Sequence, residues 1–216
     1  MHTITGQLHP LTPAPMSFAP EYHVRAFVVP REHDNLLVYS NTNLLDDAAA
    51  IDSLGGVAYQ YLGHWHESMF GDDRITDELG ARLVVHEADR AETAERRTVE
   101  ATFSEAGSLG GGFDLIPIPG HTPGSTAFLW DSGERRYLFT GDTIYLSGGE
   151  WVAAVLESSD REAYLESLER LREIDFDVLV PWGYTAGDPW FAATDRADSR
   201  RRIGAIIDRV RKGGTR

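Results

Sequence analysis

The sequence of 216 residues contains no cysteine. Without thiols the protein cannot form disulfide bridges, bind a metal through thiolates or use a cysteine nucleophile. Any catalytic or metal-binding chemistry therefore has to come from other side chains.

Basic residues are scarce relative to acidic ones. Lysine and arginine together number 20 against 34 aspartates and glutamates, which gives a formal net charge of −14 at pH 7. A chain with this mean charge repels polyanions, so we expect no nucleic acid partner. Arginines cluster in residues 196–216 with acidic residues between them, a pattern that predicts the solvated face of a terminal helix.

Long apolar runs are also missing. No stretch approaches the ~18 apolar residues of a membrane span, and the first twenty residues lack the apolar core of a signal peptide. We therefore expect a cytoplasmic protein with no membrane partner.

The composition that remains is that of a globular protein. Hydrophobic residues make up 42% and aromatic residues 10% of the chain, which excludes a wholly disordered protein. No segment rich in glycine, proline and serine marks a linker between domains. We predict a single domain over residues 23–216, preceded by a proline-rich extended arm over residues 1–22.

Short apolar runs bounded by turn residues predict a strand-rich fold. The predicted strands are residues 24–29, 36–39, 57–62, 82–85, 113–118, 125–130, 135–140 and 177–180. The predicted helices cover residues 46–54, 75–79, 87–100, a segment starting at the capping box Ser159 and Glu162, and 195–211. Two strand-rich halves, each with helices, predict two sheets packed face to face with helices outside.

Two histidines follow the strand predicted for residues 57–62. In an extended segment side chains two apart point the same way, so His64 and His66 could present two imidazoles to one ion. Neutral imidazoles suit zinc or iron. A pair with this spacing is weak evidence alone, because surface histidines are common.

Further metal-type side chains follow two other predicted strands. His121 lies between Gly120 and Pro123, on a turn whose glycine allows close backbone approach. Asp142 adds a carboxylate directly after Gly141. Four such residues at three strand ends indicate a metal site.

The motifs that contain these residues resemble the metallo-β-lactamase superfamily. Residues 62–66 read LGHWH, residues 116–125 read IPIPGHTPGS, residues 138–142 read LFTGD, and residues 167–171 (SLERL) lead to DVLVP at residues 177–181. The resemblance implies a four-layer αββα sandwich with the metal site at one edge, between the sheets. It also implies that His64, His66 and His121 form the first metal position and that Asp142 matches the carboxylate that bridges two metals.

Departures from the family pattern all affect the second metal position. Ser68 and Met69 stand where the family has aspartate and histidine, and Gly183 stands where the family has its last histidine. Asp142 alone is too few ligands for a second ion, so we expect one metal at most. Glu67 is at an odd offset from His66 and is expected to point away from the metal.

These residues favour a single-metal hydrolase. We expect one divalent ion, zinc with iron as the alternative, and a small-molecule substrate that is an ester, thioester, lactone or phosphoester. Asp142 would accept a proton from the attacking water or act as a fourth ligand, and Ser68 could donate a hydrogen bond to that water. His86 and Tyr184 are further candidates for the pocket wall. The sequence carries no signal of oligomeric state.

Two other functions fit the same residues. His64, His121 and Asp142 form a set of two histidines and one carboxylate, which is associated with non-haem iron oxygenases and resembles the persulfide dioxygenase branch of the superfamily. Alternatively, the fold persists as a non-catalytic binding or scaffold protein whose metal site has decayed. Nothing in the chain selects iron over zinc.

Overall fold

The computed structural model describes residues 8–215 as a mixed α/β fold. The strands are β1 (His9–Pro10), β2 (Ala14–Met16), β3 (Ala19–Val24), β4 (Phe27–Val29), β5 (Leu36–Val38), β6 (Tyr59–Tyr61), β7 (Arg82–His86), β8 (Ala101–Phe103), β9 (Gly107–Ser108), β10 (Phe113–Pro117), β11 (Thr126–Asp131), β12 (Arg136–Gly141), β13 (Tyr145–Ser147), β14 (Glu150–Val152), β15 (Val178–Pro181), β16 (Gly183–Thr185) and β17 (Ala192–Ala193). The α-helices are α1 (Ala48–Ser53), α2 (Arg74–Leu79), α3 (Arg90–Ala94), α4 (Arg161–Glu173) and α5 (Arg196–Arg211). Short 3-10 helices cover Leu44–Asp47, Trp65–Phe70 and Glu87–Asp89.

The strands form two six-stranded sheets and a smaller five-stranded one. The first sheet has the order β1-β4-β5-β6-β7-β8, and the second has the order β17-β15-β12-β11-β10-β9. The third sheet, β14-β13-β16-β3-β2, joins the start of the described chain to strands that follow Asp142. The two predicted hairpins are confirmed, since β4 pairs antiparallel with β5 and β11 with β12.

Side-chain alternation in the second sheet builds two separate cores. Phe128 on β11 and Phe139 on β12 point into the core shared with the first sheet. Their neighbours Leu129 and Leu138 point to the opposite face, where α4 and α5 pack. Because side chains on a strand alternate between faces, both faces of this sheet have to be apolar.

Helices α1 and α2 add their buried side chains Ile51 and Leu79 to the core that contains the first sheet. The layers are therefore helix, sheet, sheet, helix, and the predicted αββα sandwich is confirmed. None of the helices within residues 8–215 is both long enough and apolar enough to cross a membrane.

The described part of the arm predicted for residues 1–22 contributes three strands to the sheets. Strand β1 lies at the edge of the first sheet, and β2 lies at the edge of the third. Edge strands tolerate Pro10 and Pro15 because one side of such a strand needs no ladder hydrogen bonds. The boundary drawn between residues 22 and 23 falls inside β3, and residues 1–7 lie outside the described part of the chain.

The start of α4 differs from the predicted capping box. Its N-cap is Asp160, whose Oδ1 accepts hydrogen bonds from the backbone N–H groups of Glu162 and Ala163, both at 3.0 Å. Ser159 is used elsewhere, because its hydroxyl accepts from Leu156 N at 3.0 Å and donates to the carbonyl of His121 at 3.1 Å. Two adjacent residues can cap this helix, and spacing alone does not choose between them.

Replacing the N-cap should destabilise the protein more than replacing the residue expected from the capping box. We predict that Asp160→Ala lowers the free energy of unfolding by about 1 kcal/mol, because two backbone donors lose their acceptor. Glu162→Ala should cost less, since its side chain contributes only through the helix dipole. Urea denaturation of both variants tests this; equal losses would contradict the assignment of Asp160 as the cap.

Candidate metal centre

Three histidines from two loops meet at one edge of the sandwich. His64 follows β6, His66 lies in the 3-10 helix Trp65–Phe70, and His121 follows β10. One ring nitrogen from each lies within 4.8 Å of the others, and Nδ1 of His66 is 3.0 Å from Nε2 of His121. This spacing allows one ion to be bound by all three imidazoles.

The local backbone that brings His64 and His66 together is not the extended segment predicted from sequence. His64 is extended, but the chain turns into the 3-10 helix at Trp65. The rings of His64 and His66 are 5.2 Å apart and nearly perpendicular. His64 and His66 therefore do lie close together, but the turn into the 3-10 helix brings them together, and not the alternation of side chains along a strand.

Glu67 holds His64 from the side opposite the cluster. Its Oε1 accepts hydrogen bonds from the backbone N–H groups of Gly63 at 2.8 Å and His64 at 3.2 Å, and it lies 3.0 Å from Nδ1 of His64. Nε2 of His64 is buried and has no hydrogen-bond partner among the described residues. An imidazole fixed through Nδ1 presents Nε2 to the cluster, as metal-binding histidines usually do.

The position of Glu67 corrects and extends the sequence interpretation. Glu67 does point away from the expected metal, but it is the group that orients a ligand. The signal was available, because a glutamate three residues after the N-cap of a helix forms a capping box, here with His64 as the N-cap.

His121 is oriented in the same way by a backbone carbonyl. Its Nδ1 lies 2.7 Å from the carbonyl oxygen of Ala154, which leaves Nε2 facing His66 and Asp142. The preceding Gly120 has φ of 140°, and a Cβ there would lie 2.4 Å from Cα of Tyr164 in α4. Only glycine lets the turn press this closely against the helix.

Asp142 completes the cluster at the end of β12. Its Oδ2 is 3.4 Å from Nε2 of His64 and 3.8 Å from Nε2 of His121, and its side chain is 15% exposed. Gly141 has φ of 55°, and Tyr39 accepts a hydrogen bond from its backbone N–H at 2.8 Å. The carboxylate is therefore held close to two imidazoles and remains open to the solvent side.

Asp89 is a buried residue that sequence reasoning missed. Its carboxylate accepts hydrogen bonds from the backbone N–H of Trp65 at 3.0 Å, the hydroxyl of Thr122 at 2.6 Å and the backbone N–H of Gly124 at 2.7 Å. It therefore ties the loop that carries His64 and His66 to the loop that carries His121. No sequence motif reveals this link, because 24 and 35 residues separate the partners.

The electrostatics of the cluster favour one positive charge at its centre. Burial opposes protonation of His64, but the neighbouring carboxylates of Asp142 and Glu67 outweigh it and raise its pKa to about 10. Burial and the charge on His64 lower the pKa of His66 to about 3 and that of His121 to about 4. Burial would raise the pKa of Asp142, but the neighbouring imidazole of His64 outweighs it and lowers that pKa, so Asp142 is a carboxylate at neutral pH.

The positions where the family has second-metal ligands hold no metal-binding side chains. Ser68 is buried, and its hydroxyl finds no hydrogen-bond partner among the described residues. Met69 and Gly183 line a pocket beside the cluster. Trp182 closes that side: its ring lies 5.3 Å from His64 and 5.0 Å from Phe70.

The remaining sequence candidates lie outside this pocket. His86 contacts the carbonyl of Ser104 through Nε2 at 3.1 Å, and its Nδ1 accepts from Ala88 N at 3.2 Å. Tyr184 is buried, and its hydroxyl accepts hydrogen bonds from Arg25 at 3.3 and 3.1 Å. Within residues 8–215, neither of these side chains nor Ser68 belongs to the pocket lining.

Comparison with known proteins identifies the family to which this chain belongs. The profile of the metallo-beta-lactamase superfamily matches residues 20–184. A hydroxyacylglutathione hydrolase from Pectobacterium atrosepticum is 28% identical over 129 residues, which cover 60% of this chain and 42% of that protein. The chain therefore spans less than half the length of this relative.

Solved structures show the same fold at low sequence identity. A metallo-beta-lactamase from Pontibacter korlensis superposes with a TM-score of 0.72 at 16% identity, covering 95% of this chain and 99% of that one. A metallo-beta-lactamase superfamily protein from Sulfolobus tokodaii gives a TM-score of 0.64 at 19% identity, covering 94% and 85% of the two chains. At these identities the shared property is the αββα architecture.

Weakening the support behind His64 should weaken metal binding. We predict that Glu67→Gln lowers metal affinity by about 10- to 100-fold, because an amide keeps the acceptor oxygen but loses the charge that makes His64 a better donor to the metal. Ser68→Ala, a neighbouring buried change, should leave affinity nearly unchanged. Competition with a chromogenic chelator measures both, and wild-type affinity in Glu67→Gln would contradict the assigned role.

Proposed function

Because the chain belongs to the metallo-β-lactamase superfamily, we propose that it is a hydrolase that uses a single divalent metal ion, zinc with iron as the alternative. The observation that carries this proposal is the convergence of His64, His66 and His121, with one ring nitrogen of each within 4.8 Å of the others. The substrate would be a small molecule with an ester, thioester, lactone or phosphoester bond.

The donor set fits a metal ion on evidence from this chain's own contacts. Nδ1 of His64 faces Glu67 and Nδ1 of His121 faces Ala154 O, so both Nε2 atoms remain for coordination. Nε2 of His64 is buried without a hydrogen-bond partner among the described residues, and Oδ2 of Asp142 lies 3.4 Å from it. Three protein ligands with one open position are the arrangement of catalytic zinc sites.

A single ion is favoured over two. Beyond the first metal position, Asp142 is the one carboxylate in the pocket lining formed by residues 8–215. A second ion would have to be held by this carboxylate alone, which is too few ligands for a stable site.

The residues around the ion would share the work of hydrolysis. A bound metal would supply a Lewis acid that polarises the scissile group. Asp142 is ionised and partly exposed, so it can accept a proton from a water that attacks the substrate. If Asp142 instead acted as a fourth ligand, it would occupy the position that the substrate or water needs.

An iron-dependent oxygenase is the second candidate function. The observation that favours it is the distance of Asp142 Oδ2 from His64 and His121, 3.4 and 3.8 Å, which gives two imidazoles and one carboxylate around one point. The same donors would serve zinc, so the identity of the metal separates the two functions. A scaffold protein without metal is the third possibility proposed from the sequence.

Metal content and hydrolysis test the proposal together. Protein purified without chelators should contain about one equivalent of metal, and His121→Ala should lose it along with more than about 100-fold of ester or thioester hydrolysis. His86→Ala removes an imidazole outside the pocket and should retain both. Inductively coupled plasma mass spectrometry and steady-state kinetics are the measurements.

The outcomes distinguish the three functions. Zinc with hydrolysis supports the proposal, whereas iron with substrate-dependent oxygen consumption supports the oxygenase. If the purified protein contains no metal and binds neither zinc nor iron when they are added, both metal-dependent functions are contradicted and the scaffold function is supported.

A further inference from the structure

The pocket beside the metal centre has an apolar entrance. Its volume is about 520 Å³, within the range of small-molecule sites. The large hydrophobic side chains that are exposed within residues 8–215 are Phe18 at 72%, Met69 at 44% and Leu156 at 43%, and all three line this pocket. Exposed apolar groups gathered at one site mark a surface that binds something apolar.

The described residues that line this pocket include no lysine or arginine that would hold an anion. The acidic residue in this lining is Asp142. The chain as a whole carries a formal charge of −14. A carboxylate or phosphate on the substrate would lose hydration in this pocket without gaining a cationic partner other than the metal.

The apolar surface comes from elements that meet around the metal centre. Phe18 lies in the turn between β2 and β3, so the strands at the start of the chain form one wall. Met69 stands where the family has a metal ligand, and Leu156 follows β14. Phe70 and Trp182 continue the apolar surface to the imidazole of His64.

We infer that this pocket binds the uncharged, apolar acyl part of the substrate. The substrate is then a neutral carboxylic ester, thioester or lactone with an alkyl or aryl acyl group, and the inference rests on the proposed hydrolase function for the cleavage step. This inference excludes phosphoesters as substrates. It also excludes thioesters of glutathione, because the glutathione carboxylates would have no cationic partner in the described lining of the pocket.

The reaction balances with water alone. The oxygen of water bonds to the acyl carbon, and the bond from that carbon to the alcohol oxygen or thiol sulfur breaks. One water proton goes to the leaving alcohol or thiol, and the other is released when the product acid ionises. No oxidant, reductant or second substrate is required.

Ligand binding tests the pocket without relying on catalysis. Primary alkanamides from butanamide to octanamide should quench the fluorescence of tryptophan, since Trp182 lines the pocket. Affinity should rise on the order of three- to fourfold with each methylene until the pocket is filled. Phe18→Ser and Leu156→Ser should flatten this dependence, whereas Phe103→Ser, which removes an apolar side chain outside the pocket, should preserve it.

Kinetics test the charge preference. Among thioesters of one uncharged thiol, the hexanoyl compound should have a kcat/KM at least about tenfold above the equally long but anionic adipoyl compound, because a buried carboxylate lacks a partner here. Met69→Lys supplies a cation at the entrance and should narrow or reverse this preference, with metal content measured in parallel.

The two proposals fail in different ways. Cleavage that is indifferent to chain length and charge would overturn the acyl pocket while leaving the hydrolase standing. Chain-length-dependent binding that Phe18→Ser abolishes, in a protein that cleaves no ester or thioester, would support the acyl pocket and overturn the hydrolase.

Discussion

The contact between the Glu67 carboxylate and Nδ1 of His64 is the interaction on which the metal centre depends. The carboxylate is itself fixed by two backbone N–H groups, so the position of the imidazole is set by the main chain and not by a flexible surface group. His121 is turned by Ala154 O in the same sense. Two of the three candidate ligands are thus oriented without an ion, which would remove an entropic cost from metal binding.

The sandwich makes this arrangement possible by holding loops that are distant in sequence. Asp89 joins the loop after β6 to the loop after β10. A Cβ at position 120 would collide with the backbone of Tyr164, and a Cβ at position 124 would collide with the side chain of Asp89, so glycine at both positions permits these close contacts. Behind these loops, β11 and β12 are apolar on both faces. The rigid core therefore fixes the strand ends, and short hydrogen bonds fix the loops relative to one another.

Many of the strands and helices, and the positions of the metal-type residues, could be predicted because local sequence patterns determine them. The two hairpins and the long helices follow from alternation, helical spacing and turn residues, and the metal-type residues were visible at strand ends. The third sheet could not be predicted, since β16 pairs with β3 across about 160 positions of sequence. Asp89 could not be predicted for a related reason, because its role depends on loop-to-loop contacts that composition and spacing do not encode. Glu67 stands at a capping-box position relative to His64, so its role was accessible from the spacing.

The single metal ion and the apolar acyl pocket that we propose are linked through Met69 and Gly183, which both line the pocket. Two ions would give the site a strong positive charge and attract anionic substrates. A single ion next to the Asp142 carboxylate would give the site a much smaller net positive charge. Met69 supplies apolar surface in place of a ligand. Gly183 lies beside Asp142, because a Cβ at this position would be 3.6 Å from Oδ1 of Asp142, and glycine places no side chain there. With little charge available to hold a substrate, binding has to come from apolar contact, which Phe18, Met69 and Leu156 provide at the entrance. The proposed one-metal centre and the proposed uncharged acyl substrate are therefore mutually consistent.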